Sequence, residues 1–398
     1  MDFEFSEDEK MFIKEVEEFA EKEFPPDWDE RALYTPAGYG TFAIFEEEFK
    51  DISKQISLKM GKKGWLTLGW PKEYGGMNSR TRQAILEDVM SYYRFPATGV
   101  EFSIVGPTII QVGSEEMKKE WLPRIASGEV TFWLGYSEPE AGSDLGALRT
   151  TAVEDGDTLI INGQKTWSSG AHVTDYAWLL ARTDPNADKH KSATLMIVDN
   201  KSPGITVQPI VNICGIHSFN DVFFDDVRVS KKNVIGEVNK GFHYVMLALQ
   251  YERLFVGSGA FRRVLEELIQ YVKKTKHNGK ALAKNPLVRN KLAEMAIELE
   301  VLYSFYWRSA WLMDKGFVPV LETSVLKLFA TELSRKFAGR AMEILGLYGQ
   351  MERNSQRAPL KGRISLAYLD SISGPIGAGT SEIQRDIIAT RGLGLPSN

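Results

Sequence analysis

The chain has 398 residues, a formal net charge of −5, 43% hydrophobic and 25% charged residues, the make-up of a globular enzyme of two or three domains. The acidic balance excludes general nucleic-acid binding, which needs a basic footprint, and the single cysteine, Cys214, excludes an internal disulfide and a thiolate metal cluster. One cysteine fits a reducing, cytoplasmic setting, the acidic start Met1-Asp-Phe-Glu-Phe-Ser-Glu lacks an apolar signal core, and no apolar run approaches the ~20 residues that span a bilayer.

The first block, residues 1–129, reads as a helical domain. Residues 7–23 carry Met11, Phe12, Val16, Phe19 and Ala20 at helical spacing, and Ser6 with Glu9 three residues later forms a capping-box pattern. Helical periods recur at 46–61, 79–93 and 114–125, with Pro71 and Gly75-Gly76 marking a loop between the first two. From Val130 the character changes to short β-branched or aromatic runs bounded by turn residues. These are Thr131-Phe-Trp-Leu-Gly, Asp157-Thr-Leu-Ile-Ile, Tyr176-Ala-Trp-Leu-Leu-Ala-Arg, Ser192-Ala-Thr-Leu-Met-Ile-Val-Asp, Gly204-Ile-Thr-Val and Asp221-Val-Phe-Phe-Asp. Asp155-Gly156 and Asn162-Gly163 read as turn dipeptides. The pattern predicts an antiparallel sheet domain over 130–238. The third block, 239–398, is helical again. One long helix is expected over 241–276, followed by helices at 286–315, 322–346 and 383–390. Strands between two helical blocks give an α+β layered chain. The run Lys273, Lys274, Lys276 reads as a solvated helix end. The five histidines (172, 190, 217, 243, 277) show no metal-ligand spacing, so no metal is expected.

Two stretches in the strand block carry chemistry. Gly135-Tyr-Ser-Glu-Pro-Glu-Ala-Gly-Ser-Asp144 places hydroxyls of Ser137 and Ser143 on turns, and Gly142 permits close backbone approach. Gly163-Gln-Lys-Thr-Trp-Ser-Ser169 offers Trp167, a flat surface suited to an isoalloxazine ring, and a donor at Ser169. Either stretch alone also describes a turn-rich hairpin with a core tryptophan. Both together, in order within a strand region, favour flavin binding.

With Gly377-Ala-Gly-Thr-Ser-Glu-Ile-Gln-Arg385 near the C-terminus, these stretches resemble the signatures of the acyl-CoA dehydrogenase family. Gly69-Trp-Pro-Lys-Glu-Tyr-Gly-Gly76, Phe224-Asp-Asp-Val-Arg-Val229 and Ile235-Gly-Glu-Val-Asn-Lys-Gly241 extend the resemblance over nearly the whole chain. The resemblance implies a barrel-like middle domain and a C-terminal four-helix bundle. It implies noncovalent FAD contacted by Leu134, Tyr136, Ser137, Gly142, Ser143, Trp167, Ser169, Gly346, Thr380 and Glu382. It places Ser143, Arg253 and Gly379 toward an acyl-CoA. It further implies hydride transfer to flavin N5, electrons passed to an electron-transferring flavoprotein, and a homotetramer. Two stretches depart from the family. Thr275-Lys-His-Asn-Gly279 stands where Arg-x-Gln-Phe-Gly is usual and keeps only the glycine, with Lys274, Lys276 and Arg289 as nearby cations. Glu343-Ile-Leu-Gly-Leu347 stands for Gln-Ile-x-Gly-Gly.

The family's usual catalytic glutamate position holds Ala378. Removing a proton α to a thioester needs a positioned carboxylate; the backbone N–H of Ala378 is still able to polarise the thioester carbonyl. Glu252 is the best replacement. On a continuous helix its neighbours at −7, −3, +4 and +7 are Val245, Leu249, Val256 and Gly259, an apolar face. Isovaleryl-CoA dehydrogenases are similar, with their base at the matching position. A structural ion pair is the other reading of Glu252. Glu101 is a weaker candidate base, and Asp370 lies near the C-terminal signature. The implied reaction converts an acyl-CoA to its 2-enoyl-CoA. The alternatives are a non-catalytic or half-active subunit of a heteromer, and an acyl-CoA oxidase.

Overall fold

The structure, a computed structural model, describes residues 4–32, 49–96, 99–252, 256–353 and 355–396, the side chains of 249–252 excepted. It divides into two compact units: Ile44–Asn78 with Thr98–Glu252, and Met1–Ala43, Ser79–Ala97 and Arg253–Asn398.

The first unit is built on a seven-stranded sheet. Its strands are β1 (Phe132–Gly135), β2 (Thr151–Asp155), β3 (Thr158–Lys165), β4 (Tyr176–Arg182), β5 (Ala193–Asp199), β6 (Ile205–Val211) and β7 (His217–Ser230). The path runs β1-β4-β2-β3-β7-β6, with β5 on β4. Pairing is antiparallel except at β4, which runs parallel to β1 and meets β2 in a parallel bridge. Alternate inward residues such as Leu159, Ile161, Leu179, Met196, Val198, Val222 and Val227 fill its core. Asn162-Gly163 is not a turn. It lies inside β3 at a register shift against β7, where Gly163 has φ 146 and a Cβ would stand 2.6 Å from Thr150 Oγ1. The glycine serves a bulge and a close approach, so the dipeptide's turn chemistry is overridden by pairing. The helices of this unit are α3 (Lys50–Lys62), α5 (Gly106–Val112), α6 (Glu115–Ala126) and α7 (Gly241–Glu252), with a π-helical turn at Glu101–Val105.

The second unit is helical: α1 (Glu7–Glu23), α2 (Trp28–Arg31), α4 (Arg80–Tyr92), α8 (Ser258–Lys274), α9 (Pro286–Asp314), α10 (Val320–Leu345), α11 (Arg363–Asp370) and α12 (Ser381–Ile387). The capping box at Ser6 and Glu9 is present. Phe12, Val16, Phe19 and Ala20 are buried while Met11 is exposed. The core joins Phe261, Leu268, Met295, Leu302, Leu326, Leu333 and Phe337 of α8, α9 and α10 with Ala84 of α4. The helix expected over 241–276 is two helices. The first is described to Glu252, and Gly257, left-handed at φ 60 and ψ 44, is the N-cap of the second, which starts at Ser258. A helix cannot run through a left-handed residue, which sequence periodicity does not register. After α8, Lys276–His277 and Lys280–Ala281 form a two-strand hairpin. Its turn, Asn278-Gly279, has φ 49 and 77, the pair of positive values that a type I′ turn requires. Among the described residues, no helix is long and apolar enough to cross a membrane.

Candidate active site

In the sheet unit the two flavin-motif stretches are clipped together. Thr166 N donates to Ser137 O at 2.9 Å. Lys165, at the inward end of β3, is fully buried; its Nζ donates to Glu138 Oε1 at 2.7 Å and to Tyr136 O at 3.0 Å. Glu138 also accepts from the backbone N–H of Arg149 at 2.5 Å and of Thr150 at 3.0 Å. Burial alone would raise the Glu138 carboxyl, but the Lys165 ammonium and these N–H donors outweigh it and hold it below its usual range. Burial pulls the Lys165 ammonium down to about 8 despite its partner. Sequence reasoning quoted both residues inside the motifs and missed the pair. The available signal was a lysine in phase with Leu159 and Ile161 on a strand.

Trp167 follows this clip in a left-handed conformation, φ 57, uncommon for a bulky residue. Its ring is 61% exposed and meets Phe219 edge-on at 6.0 Å. It is therefore not a core tryptophan. Beneath it, the buried Asn220 side chain fixes the loop: Nδ2 donates to Ser168 O at 2.9 Å, and Oδ1 meets His217 Nε2 at 2.7 Å. Asn220 Nδ2 also faces His172 Nδ1 at 3.0 Å, and the two imidazoles stack at 3.8 Å. Ser168 N donates back to Asn220 O. The buried Ser168 Oγ finds no partner among the described residues. Ser137 and Ser169 are half-buried, Gly142 and Ser143 exposed, and Leu134 half-buried on β1. A Cβ built on Gly142 meets no protein atom within 4 Å, so nothing in the chain itself demands glycine there. An exposed aromatic face on a loop held by the Asn220 hydrogen bonds suits a planar cofactor with a polar rim.

In the helical unit, Gly346 ends α10 at φ 60 and ψ −143, a region open essentially to glycine. The signature loop follows α11. Ala378 is left-handed, φ 51, and Gly379 follows at φ 84. Gln384 Nε2 donates to Ala378 O at 3.2 Å. Thr380 is the N-cap of α12, accepting from Ile383 N at 3.2 Å. Glu382 is exposed, and its own backbone N–H and the Thr380 hydroxyl hold its carboxyl below the usual range. Among the described residues no acceptor meets the Ala378 N–H.

Of the proton-transfer candidates, Glu252 is the last described residue of α7. Its position continues the stripe of buried Val245 and Ala248, but its side chain lies outside the described residues, as does all of Arg253. The +4 and +7 neighbours expected on a continuous helix do not apply, because Val256 is not helical and Gly257 is left-handed. Glu101 is buried in the sheet unit and pushed up to about 7 by burial, against backbone N–H donors including that of Phe132. A Cβ on Gly99 would stand 2.3 Å from its Oε1. The carboxyl is folded back over its own turn and bonded to the start of β1, a structural position.

Three family profiles cover this architecture: Acyl-CoA dehydrogenase, N-terminal domain, over residues 6–129; middle domain, over 134–227; and C-terminal domain, over 239–393. The chain belongs to the acyl-CoA dehydrogenase family. Its relatives include acyl-CoA dehydrogenase FadE26 of Mycobacterium tuberculosis, 36% identical over 376 residues, covering 92% of this chain and 94% of that one. Among solved structures, the Tcur3481-Tcur3483 steroid ACAD superposes with a TM-score of 0.90 at 32% identity, covering 100% of each chain. The ChsE4-ChsE5 complex from Mycobacterium tuberculosis does so at 0.89 and 34%, again over 100% of each. The chain is thus an acyl-CoA dehydrogenase, an oxidoreductase of acyl-CoA thioesters with FAD as its cofactor. The exposed Trp167, the unpartnered Ser168 Oγ and the open Gly142 fit that cofactor.

Proposed function

We propose that this dehydrogenase oxidises a bulky acyl-CoA, branched or ring-bearing, to its 2-enoyl-CoA with Glu252 as the α-proton base. The observation that carries the reading is Ala378: this position offers no carboxylate, and its backbone N–H meets no acceptor among the described residues. The division of labour follows from the residues. The Ala378 N–H, with Gly379 beside it, receives the thioester carbonyl and makes the α-proton more acidic. The Glu252 carboxylate takes that proton. Bound FAD supplies the acceptor for the hydride that leaves the β carbon. Trp167, Leu134, Tyr136, Ser137, Gly142, Ser143, Ser169, Gly346, Thr380 and Glu382 would hold the FAD, with Trp167 offering its flat ring to the isoalloxazine. Arg253 and Ser143 serve the substrate. Electrons leave to an electron-transferring flavoprotein. Three domains, 1–129, 130–238 and 239–398, share the work. The absence of a side chain beyond Cβ at 378 leaves room for bulk, and a relative described as a steroid ACAD supports a large acyl group.

Oxygen-free titration with a panel of acyl-CoAs, from short linear to ring-bearing, tests this. The flavin should bleach fastest with the ring-bearing or branched members. Glu252→Gln should keep FAD and thioester binding and slow bleaching at least about 100-fold. Parental bleaching by Glu252→Gln would overturn the base. A second reading, a subunit that works only beside a different chain, is supported by the two-chain naming of both solved relatives; a parent that never bleaches alone but does so with a partner chain favours it.

A further inference from the structure

The loop that carries Ala378 is held by a buried cation. Lys327, on α10, is 3% exposed. Its Nζ donates to Gly379 O at 2.7 Å and to Gly374 O at 3.2 Å. These carbonyls stand at the two ends of the segment that contains Ala378. An ammonium taken out of water is costly unless its protons are met, and charge-assisted bonds are the stronger kind. Lys327 therefore fixes the span from 374 to 379. Other bonds tighten the same loop: Ser381 N to Pro375 O at 2.8 Å and Gly377 N to Ser373 O at 3.1 Å. Between them Ala378 holds a left-handed conformation, φ 51, which is unfavourable for a non-glycine residue and persists only where the surroundings over-determine it. Its carbonyl is tied to Gln384. Its N–H meets no acceptor among the described residues.

We propose that Lys327 is a positioning residue for thioester activation: by clamping the Gly374 and Gly379 carbonyls, it aims the Ala378 N–H. The proposal rests on the reading that this N–H receives the thioester carbonyl. Lys327 itself touches no substrate and acts through the backbone. Its charge fixes geometry; the donor is the amide of residue 378.

The test reads carbonyl polarisation directly. 3-(4-Dimethylaminophenyl)acryloyl-CoA has a chromophore conjugated with its thioester, so a hydrogen bond to the carbonyl moves its absorption to the red. The FAD-loaded parent should bind it with a red shift. Lys327→Met should retain FAD and bind the probe, yet lose at least half of the shift. Its flavin-reduction rate with the best acyl-CoA should fall at least about tenfold with KM changed much less, as expected when a donor is misaimed and not deleted. Lys327→Arg keeps a cation and two donors, so part of the shift should return; should the methionine variant fail to fold, the arginine variant must still give a shift smaller than the parent's. A parental shift in either variant overturns the clamp. A parent that binds the probe without any shift overturns the Ala378 reading on which the clamp depends, which separates the two failures.

Discussion

At the scale of single residues, Glu101 shows why a raised carboxyl is not by itself a catalytic one. Its pKa is pushed up to about 7 by burial, a value that suits a general base, yet its carboxyl is spent on backbone N–H groups. The consequence is a stability effect. The folded state keeps the proton above the ordinary value of 4.5, so the stabilising contribution is complete below about pH 4.5 and is lost as pH rises through about 7. The loss is on the order of 3 kcal/mol across that window. Glu101→Gln removes it: the variant should gain on the parent between pH 5 and pH 8 in denaturant unfolding, while flavin bleaching stays close to parental. Parallel stability profiles for the two proteins would refute the assignment. The alanine at 378 was legible in the sequence, because an alanine in a signature that usually holds a glutamate announces itself, and Glu252 stands as the proposed base on that ground. Lys327 was not. Its role depends on two carbonyls about fifty positions away, and α10 gives no local hint that a lysine faces inward.

Elements were easier to read than their ends. The strand runs and most of the amphipathic helices formed close to where alternation and helical spacing placed them, since one apolar face per element suffices to bury it, but the helix expected over 241–276 is interrupted at Gly257. The misses were turn chemistry. Asn162-Gly163 went into a strand because its neighbours pair on both sides, whereas Asn278-Gly279 made the hairpin turn inside a stretch read only for its departure from the family. The clip between β3 and the loop after β1 belongs to this scale, because Lys165 and Glu138 join two elements through one buried pair. Removing one partner strands the other charge, at a cost of about 3–5 kcal/mol. Lys165→Met should therefore melt earlier and release FAD on gel filtration. Lys165→Met combined with Glu138→Gln should recover part of both, since no bare charge remains. If the single variant keeps parental flavin content and melting temperature, the clip does not hold the flavin loop.

For the whole molecule, the linear order of helices, strands and helices does not coincide with its compact units. α4, from the N-terminal block, shares a core with α8, α9 and α10, and α7, from the C-terminal block, belongs with the sheet. Such interleaving is invisible to composition, which changes where secondary structure changes and not where contacts close. The same scale raises the question of assembly. The chain exposes Ile297, Val301 and Trp311 on α9, Phe317 and Val318 after it, and Leu347 and Tyr348 beyond α10. These exposed apolar side chains on α9 and at both ends of α10 are the observation that motivates an assembly. The stretch that stands where Arg-x-Gln-Phe-Gly is usual forms a hairpin turn at Asn278-Gly279. We expect a tetramer built as a dimer of dimers, of identical chains or of this chain with a second one. Light scattering with flavin counting decides between them. One FAD per chain in a tetramer of this chain alone supports the homotetramer. Half occupancy, or a flavin-poor protein that fills only on mixing with a partner chain, supports the heteromer. A monomer with full flavin occupancy would contradict both, because the exposed face would then have no counterpart.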